Sequence, residues 1–141
     1  MPLNGHRRSR PGGTRATLYY EIARLRLLDA TVLVNHSRYN CAVYVSGYIM
    51  ECALKWAVAV RTGKIYLPSE LEHHNWDLLL HKAGLLNLLD LNPGLKAVYS
   101  ALAEMWHPSL RYTALDYSRN QANSLLNQFK AIFKWIEEQT L

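Results

Sequence analysis

The chain has 141 residues, half of them apolar, which is one domain's worth of sequence and enough for a core that needs neither metal nor disulfide staples. Its formal charge is +5, but Arg7, Arg8, Arg10 and Arg15 face no acid within the first 15 residues, so the rest of the chain stands at only +1. A uniformly basic body is thereby excluded. No apolar run approaches the roughly 18 to 20 residues that span a bilayer, and no apolar segment follows the early arginines as a signal peptide requires.

Residues 1–13 are polar, with two Pro and three Gly, and are expected to form a disordered basic arm ahead of a single domain over 14–141. Such an arm is either a solvated start or a contact for phosphate backbones. A first helix is expected from about Thr14 to Leu33, with Leu18, Ile22, Leu25, Leu28 and Val32 as its inward stripe. Ser37 is placed to cap a second helix over about Arg38–Arg61, whose inward face uses Ala42, Val45, Ile49, Ala53 and Trp56, with Gly63 just past its end. The segment 63–75 reads as a loop with one helical turn, carrying a capping-box pattern at Ser69 and Glu72.

Asn75 is placed to cap a third helix over about Trp76–Leu86. Asn92-Pro93 opens a fourth, which ends near Trp106 before His107-Pro108. Residues 109–117 form a connector or a short, imperfect helix. Ser118 and Gln121 form a capping box that opens the last helix, whose stripe is Ala122, Leu125, Leu126, Phe129, Ile132, Phe133 and Ile136. The fold class expected is all-α, an antiparallel bundle of about five helices.

Three segments concentrate chemistry. Glu51 and Lys55 stand i, i+4 on a helix that is apolar around most of its girth. They form either a structural ion pair or part of a functional polar patch. The stretch from Trp106 to Tyr117 gathers His107, Arg111, Tyr112, Asp116 and Tyr117 at a helix boundary. Arg111 could fork onto Glu51 or hold a phosphate, and the same residues could simply anchor the last helix. The third segment holds His73, His74 and His81, without the zinc pattern of His at i, i+4 with a Glu or of paired Cys, so no metal and no cofactor is expected. Cys41 and Cys52 fall on one helix about 16 Å apart, beyond disulfide reach, and nothing demands an oxidising compartment. The cytoplasm is the expected setting, with no membrane.

In order along the chain, Arg38-Tyr39-Asn-Cys-Ala42, Gly47-Tyr48-x-x-Glu51-x-x-Leu54-Lys55, His74-x-x-x-Leu78-Leu79 with Ala83-Gly84, and Leu110-Arg111-Tyr112 resemble the HEPN family over about residues 16–138. The resemblance implies a helical bundle that dimerises, with polar residues of the second and fourth helices meeting at a cleft. It implies that active members are metal-independent endoribonucleases using Arg, four to six residues, then His. Other members bind nucleotides or partner minimal nucleotidyltransferases in toxin–antitoxin and defence loci. Glu51 matches the acidic position of the second helix and Arg111 the motif arginine. Asp116 stands where the His is expected, and Tyr117 lies near the place of a tyrosine that is modified in some members.

That departure matters chemically. Cleavage through the RNA 2′-hydroxyl needs a proton acceptor near neutral pH, and imidazole suits this where an ordinary Asp, with a pKa near 3.9, does not. The expectation is therefore a homodimeric module with little or no catalysis that binds nucleotide, RNA or a partner protein. Arg111, Lys55, Arg38, His107, Tyr112 and Tyr117 would make contacts, and Glu51 and Asp116 would orient them. The alternatives are a ribonuclease using Arg111 with Asp116 or a His such as His107 or His74, and a structural helical adaptor.

Overall fold

The computed structural model describes residues 15–114 and 116–141; the basic arm read at residues 1–13 lies outside them. Six α-helices follow in order: α1 (Ala16–Asn35), α2 (Tyr39–Thr62), α3 (Trp76–Lys82), α4 (Leu86–Asp90), α5 (Pro93–Met105) and α6 (Arg119–Thr140). Single 3-10 turns at Ser69–Leu71 and Pro108–Tyr112 interrupt the connections. The fold is all-α, with no strand among the described residues beyond an isolated bridge between Arg15 and Tyr66.

The organising element is α2. Every residue from Ile49 to Ala59 is buried, because α1 and α6 pack along it and α3 closes one side. This helix has the length that the sequence reading gave it, shifted by one residue. By length and composition it could cross a membrane, yet 78% of the relevant window is covered by the chain's own helices, as expected of a central core helix.

The face that α1 turns inward differs from the expected stripe. Ala16, Tyr19, Ala23, Ala30 and Val34 are buried, whereas Leu25, Leu28 and Val32 are 51%, 62% and 55% exposed. Small residues let α1 approach α2 closely, so size rather than hydrophobicity chose the face. Ser37 does not cap α2. It adopts a left-handed backbone (φ 60°) that turns the chain between α1 and α2. Ser69 forms no cap either, because the 3-10 turn starts directly after Pro68.

The expected third helix, Trp76–Leu86, stops early at Lys82, and α4, which the sequence reading did not give, follows it. Leu85 N–H reaches Leu80 O at 3.1 Å and Gly84 N–H reaches His81 O at 3.0 Å, with Gly84 at φ 71°, a Schellman ending that stops α3. Asn75 and Asn92 cap α3 and α5 by accepting from Leu78 N–H (3.1 Å) and Leu95 N–H (3.2 Å). Ser118 and Gln121 form a complete, reciprocal capping box on α6. All of the expected α6 stripe is buried except Leu125, which is half-buried.

Candidate functional site

Tyr44, Tyr48, Glu51 and Lys55 follow one another on α2 at intervals of four, three and four residues, which puts them in a single row along the helix. At the inner end of that row Glu51 and Lys55 are both buried, with Lys55 Nζ 3.2 Å from Glu51 Oε2. The other carboxylate oxygen, Oε1, lies 2.5 Å from His74 Nδ1, delivered by the loop that enters α3. The Lys55 ammonium also sits 5.6 Å from the centre of the Tyr19 ring. Burial of an unpaired charge here would be costly, and the three groups together satisfy it.

Farther out, the Tyr44 and Tyr48 hydroxyls are 3.1 Å apart. Burial, followed by the bond to Tyr44, pushes the Tyr48 phenol upward; the charge of Glu51 adds to this and that of Arg111 opposes it. Tyr48 thus senses Glu51 from one side and Arg111 from the other.

Trp106, the residue that ends α5, locks this row in place. Its Nε1–H donates to the Tyr44 carbonyl at 3.1 Å, and its ring stacks on Trp76 (5.2 Å) and meets Tyr48 edge-on (5.3 Å). Gly47 makes the approach possible, since a Cβ there would fall 1.9 Å from the indole.

The 3-10 turn that follows Trp106 presents Arg111. Its guanidinium is fully exposed, lies 4.8 Å over the Tyr112 ring, and is pushed above its ordinary value by hydrogen bonding to Tyr44 and then Tyr112. It does not fork onto Glu51, whose two oxygens are already taken by Lys55 and His74. Nor, among the described residues, does it pair with Asp116.

The chain leaves the turn extended at Thr113 (φ −102°, ψ 152°), which carries Asp116 into a separate recess of about 290 Å³ lined by Arg38, Tyr39, Cys41 and Tyr117. There Tyr117 N–H donates to Asn40 Oδ1 at 3.0 Å. The expected site residues therefore fall into two groups. Glu51, Lys55, Arg111, Tyr112 and His107 belong to the Trp106 side, and Arg38, Asp116 and Tyr117 to the start of α2. Tyr44 and Tyr48 were missed as site residues, although their spacing from Glu51 was readable in the sequence.

Three histidines flank the row. His107 caps the 3-10 turn, its Nδ1 accepting from Ser109 N–H at 3.1 Å. His73 Nδ1 accepts from Asn75 N–H at 3.0 Å. Burial and then the Lys55 charge hold His73 below its ordinary value. His74 and His107 share a recess of about 200 Å³ with Trp106, Asp77 and Pro108. The two cysteines are free, Cys41 exposed and Cys52 buried, with burial pushing the Cys52 thiol up to about 11. Among the described residues no three His, Cys, Asp or Glu side chains gather as a metal site would require.

No curated protein and no solved structure matches the chain. One family model, described as HEPN domain, does match, and that family is known for RNA binding or ribonuclease activity and for toxin or defence roles. The match runs from residue 16 to residue 139, across all six helices and so across Glu51 and Arg111, and the chain belongs to the HEPN domain family.

Proposed function

We propose that this domain binds RNA through the face that carries Arg111, as a component of a toxin–antitoxin or defence system. The observation that carries the reading is the state of Arg111. It is solvent-facing, has no carboxylate partner among the described residues, and lies 4.8 Å over the Tyr112 ring. A guanidinium held this way keeps donors for a phosphate, and the exposed Tyr112 ring beside it offers a surface on which a base can stack. Glu51 does not repel the anion strongly, because Lys55 neutralises it from within the protein. Asp116 is exposed in its own recess, apart from Arg111.

The module is proposed to pair with a second copy, and the exposed Leu25, Leu28 and Val32 on α1 supply apolar area for self-association. Light scattering after size exclusion should give twice the chain mass at micromolar concentration.

Binding is tested by fluorescence anisotropy with a labelled single-stranded RNA over a salt series. Arg111→Ala should weaken binding about tenfold and reduce the magnitude of the logarithmic salt slope by about 0.7, the share of one phosphate contact on a single strand. Equal affinity and an equal slope for the variant would contradict the assignment.

A further inference from the structure

Helices α1 and α6 both pack on α2 and run in opposite directions. Tyr20, near the start of α1, donates its hydroxyl proton to Glu137, near the end of α6, at 2.5 Å. Between the two helices lies a groove of about 770 Å³. Its apolar lining is Leu27, Ala131 and the buried Phe133, with Leu28 exposed at the α1 edge. Its rims are basic. Arg24 stands on α1 and Lys130 and Lys134 on α6, all three exposed, and none pairs with a carboxylate among the described residues. The acid that lines the groove, Glu137, already holds the Tyr20 hydroxyl.

Lys130 and Lys134 stand i, i+4 on one helix face, a like-charge pair that weakens a helix. Arg24 adds a third positive charge from the facing helix. This arrangement costs the chain stability by itself and becomes favourable when carboxylates arrive from outside. The lining is preformed, because the Tyr20 ring packs on Trp56 (4.4 Å) and meets Phe133 edge-on (6.1 Å). An occupant therefore need not order it.

We propose that this groove receives an amphipathic helix of a partner protein, its apolar residues turned inward and its acidic residues turned to Arg24, Lys130 and Lys134. The proposal is independent of the RNA-binding reading. Two antiparallel helices offer a channel in which a third packs at about 8–10 Å between axes, the helix-in-groove mode of recognition. From Tyr20 to Leu28 the channel runs about 12 Å, or two turns of the occupant. A second copy of this chain suits the groove poorly, because twofold pairing sets a patch against itself and brings the cations together. Leu25 and Val32 do not line the groove and remain available for self-association. RNA is disfavoured by the lining. Arg24 lies over the Tyr20 ring at 5.9 Å, Trp56 packs on it, and Phe133 is buried, so the groove lacks an open aromatic face for a base.

The test is fluorescence anisotropy of the full chain with a labelled synthetic peptide of about 15 residues, long enough to form a helix. The peptide carries leucines at i, i+3, i+4 and i+7 spacing and glutamates elsewhere. One companion has lysine in place of glutamate, and another has serine in place of leucine. The native protein should bind the acidic amphipathic peptide roughly tenfold tighter than either companion, and the affinity should fall as salt rises. Lys130→Glu combined with Lys134→Glu should weaken that binding about tenfold and switch the preference to the lysine peptide. Leu28→Asn, at a position 62% exposed, should weaken it about fivefold.

Absence of binding by the native protein, equal binding of the three peptides, or an affinity that charge reversal leaves unchanged overturns the inference. Displacement of the peptide by single-stranded RNA gives the groove to nucleic acid, and a dimer that the charge reversal returns to monomer gives it to a second copy. Either result also overturns it. Gain of lysine-peptide binding by the reversed variant separates a lost site from a lost fold. RNA binding is read separately through Arg111→Ala, so failure of that reading and failure of this one are distinguishable.

Discussion

Gly47→Ala is the substitution in which packing, stability and site geometry meet. In an isolated helix it would help, since Ala outranks Gly by about 1 kcal/mol. Here the new methyl would lie 1.9 Å from Trp106 Cε2 and 2.2 Å from Nε1, inside the ring system rather than at the end of a flexible chain. Trp106 cannot yield cheaply, because it is held by Trp76 on one face, by Tyr48 at the edge and by the Tyr44 carbonyl. Overpacking of this kind costs about 1–3 kcal/mol, and a buried indole N–H torn from its acceptor costs about 1–3 more. Less the helix propensity gained, the expected loss is about 1–5 kcal/mol. Urea denaturation followed by circular dichroism and tryptophan fluorescence measures it. Gly94→Ala is the control, because a Cβ there meets nothing within 4 Å, and that variant should be neutral or up to about 1 kcal/mol more stable. Because Arg111 hangs on the turn that follows Trp106, Gly47→Ala should also weaken RNA binding under conditions where it is folded. A Gly47→Ala protein as stable as the native one would refute the account of why this position is glycine.

Lys55→Met leaves the buried Glu51 with His74 alone and should cost about 3 kcal/mol, whereas Glu51→Leu combined with Lys55→Met should cost less; thermal or urea unfolding of both variants decides. Cys41 should react with iodoacetamide at pH 8 in the native protein and Cys52 only after unfolding, and equal labelling by mass spectrometry would contradict the burial assigned to Cys52. Because His73 is held below its ordinary value, the unfolded chain takes up that proton first as the pH falls. The stability at stake is intact above about pH 6.5 and is lost as the pH falls through the folded value, so His73→Asn should lose less stability than the native chain between pH 7.5 and 5.5.

Elements defined by local chemistry were readable in the sequence. α6 combines an unbroken apolar period with a reciprocal cap, and Asn75 and Asn92 cap helices using atoms three residues away. What required the third dimension was less accessible. The choice between two faces of α1 depended on how closely Ala23 and Ala30 let it approach α2, and leucine spacing does not report that distance. Leu85, Leu86, Leu88 and Leu89 continue the apolar pattern past Gly84, so the left-handed stop inside it was masked.

The site was legible in parts. Glu51 and Lys55 are paired by their spacing alone, but the second partner of Glu51 is His74, from a loop whose path the helical pattern does not give. Arg111 and Asp116 look like one unit along the chain. Asp116 lies in a recess of its own, and the neighbour of the Arg111 guanidinium is the Tyr112 ring instead.

The most direct measurement is an NMR titration of the isotope-labelled chain with a short single-stranded RNA, following the Arg111 Nε–H and the indole signals of Trp106 and Trp135. The rival surface is the groove between α1 and α6 lined by Arg24, Lys130, Lys134 and Phe133, which is basic and larger, at about 770 Å³. Binding at the proposed face shifts Arg111 and Trp106 together and leaves Trp135, on α6, unmoved. Saturable shifts confined to Arg24, Lys130 and Lys134, with Arg111 and Trp106 unchanged, would contradict the central claim.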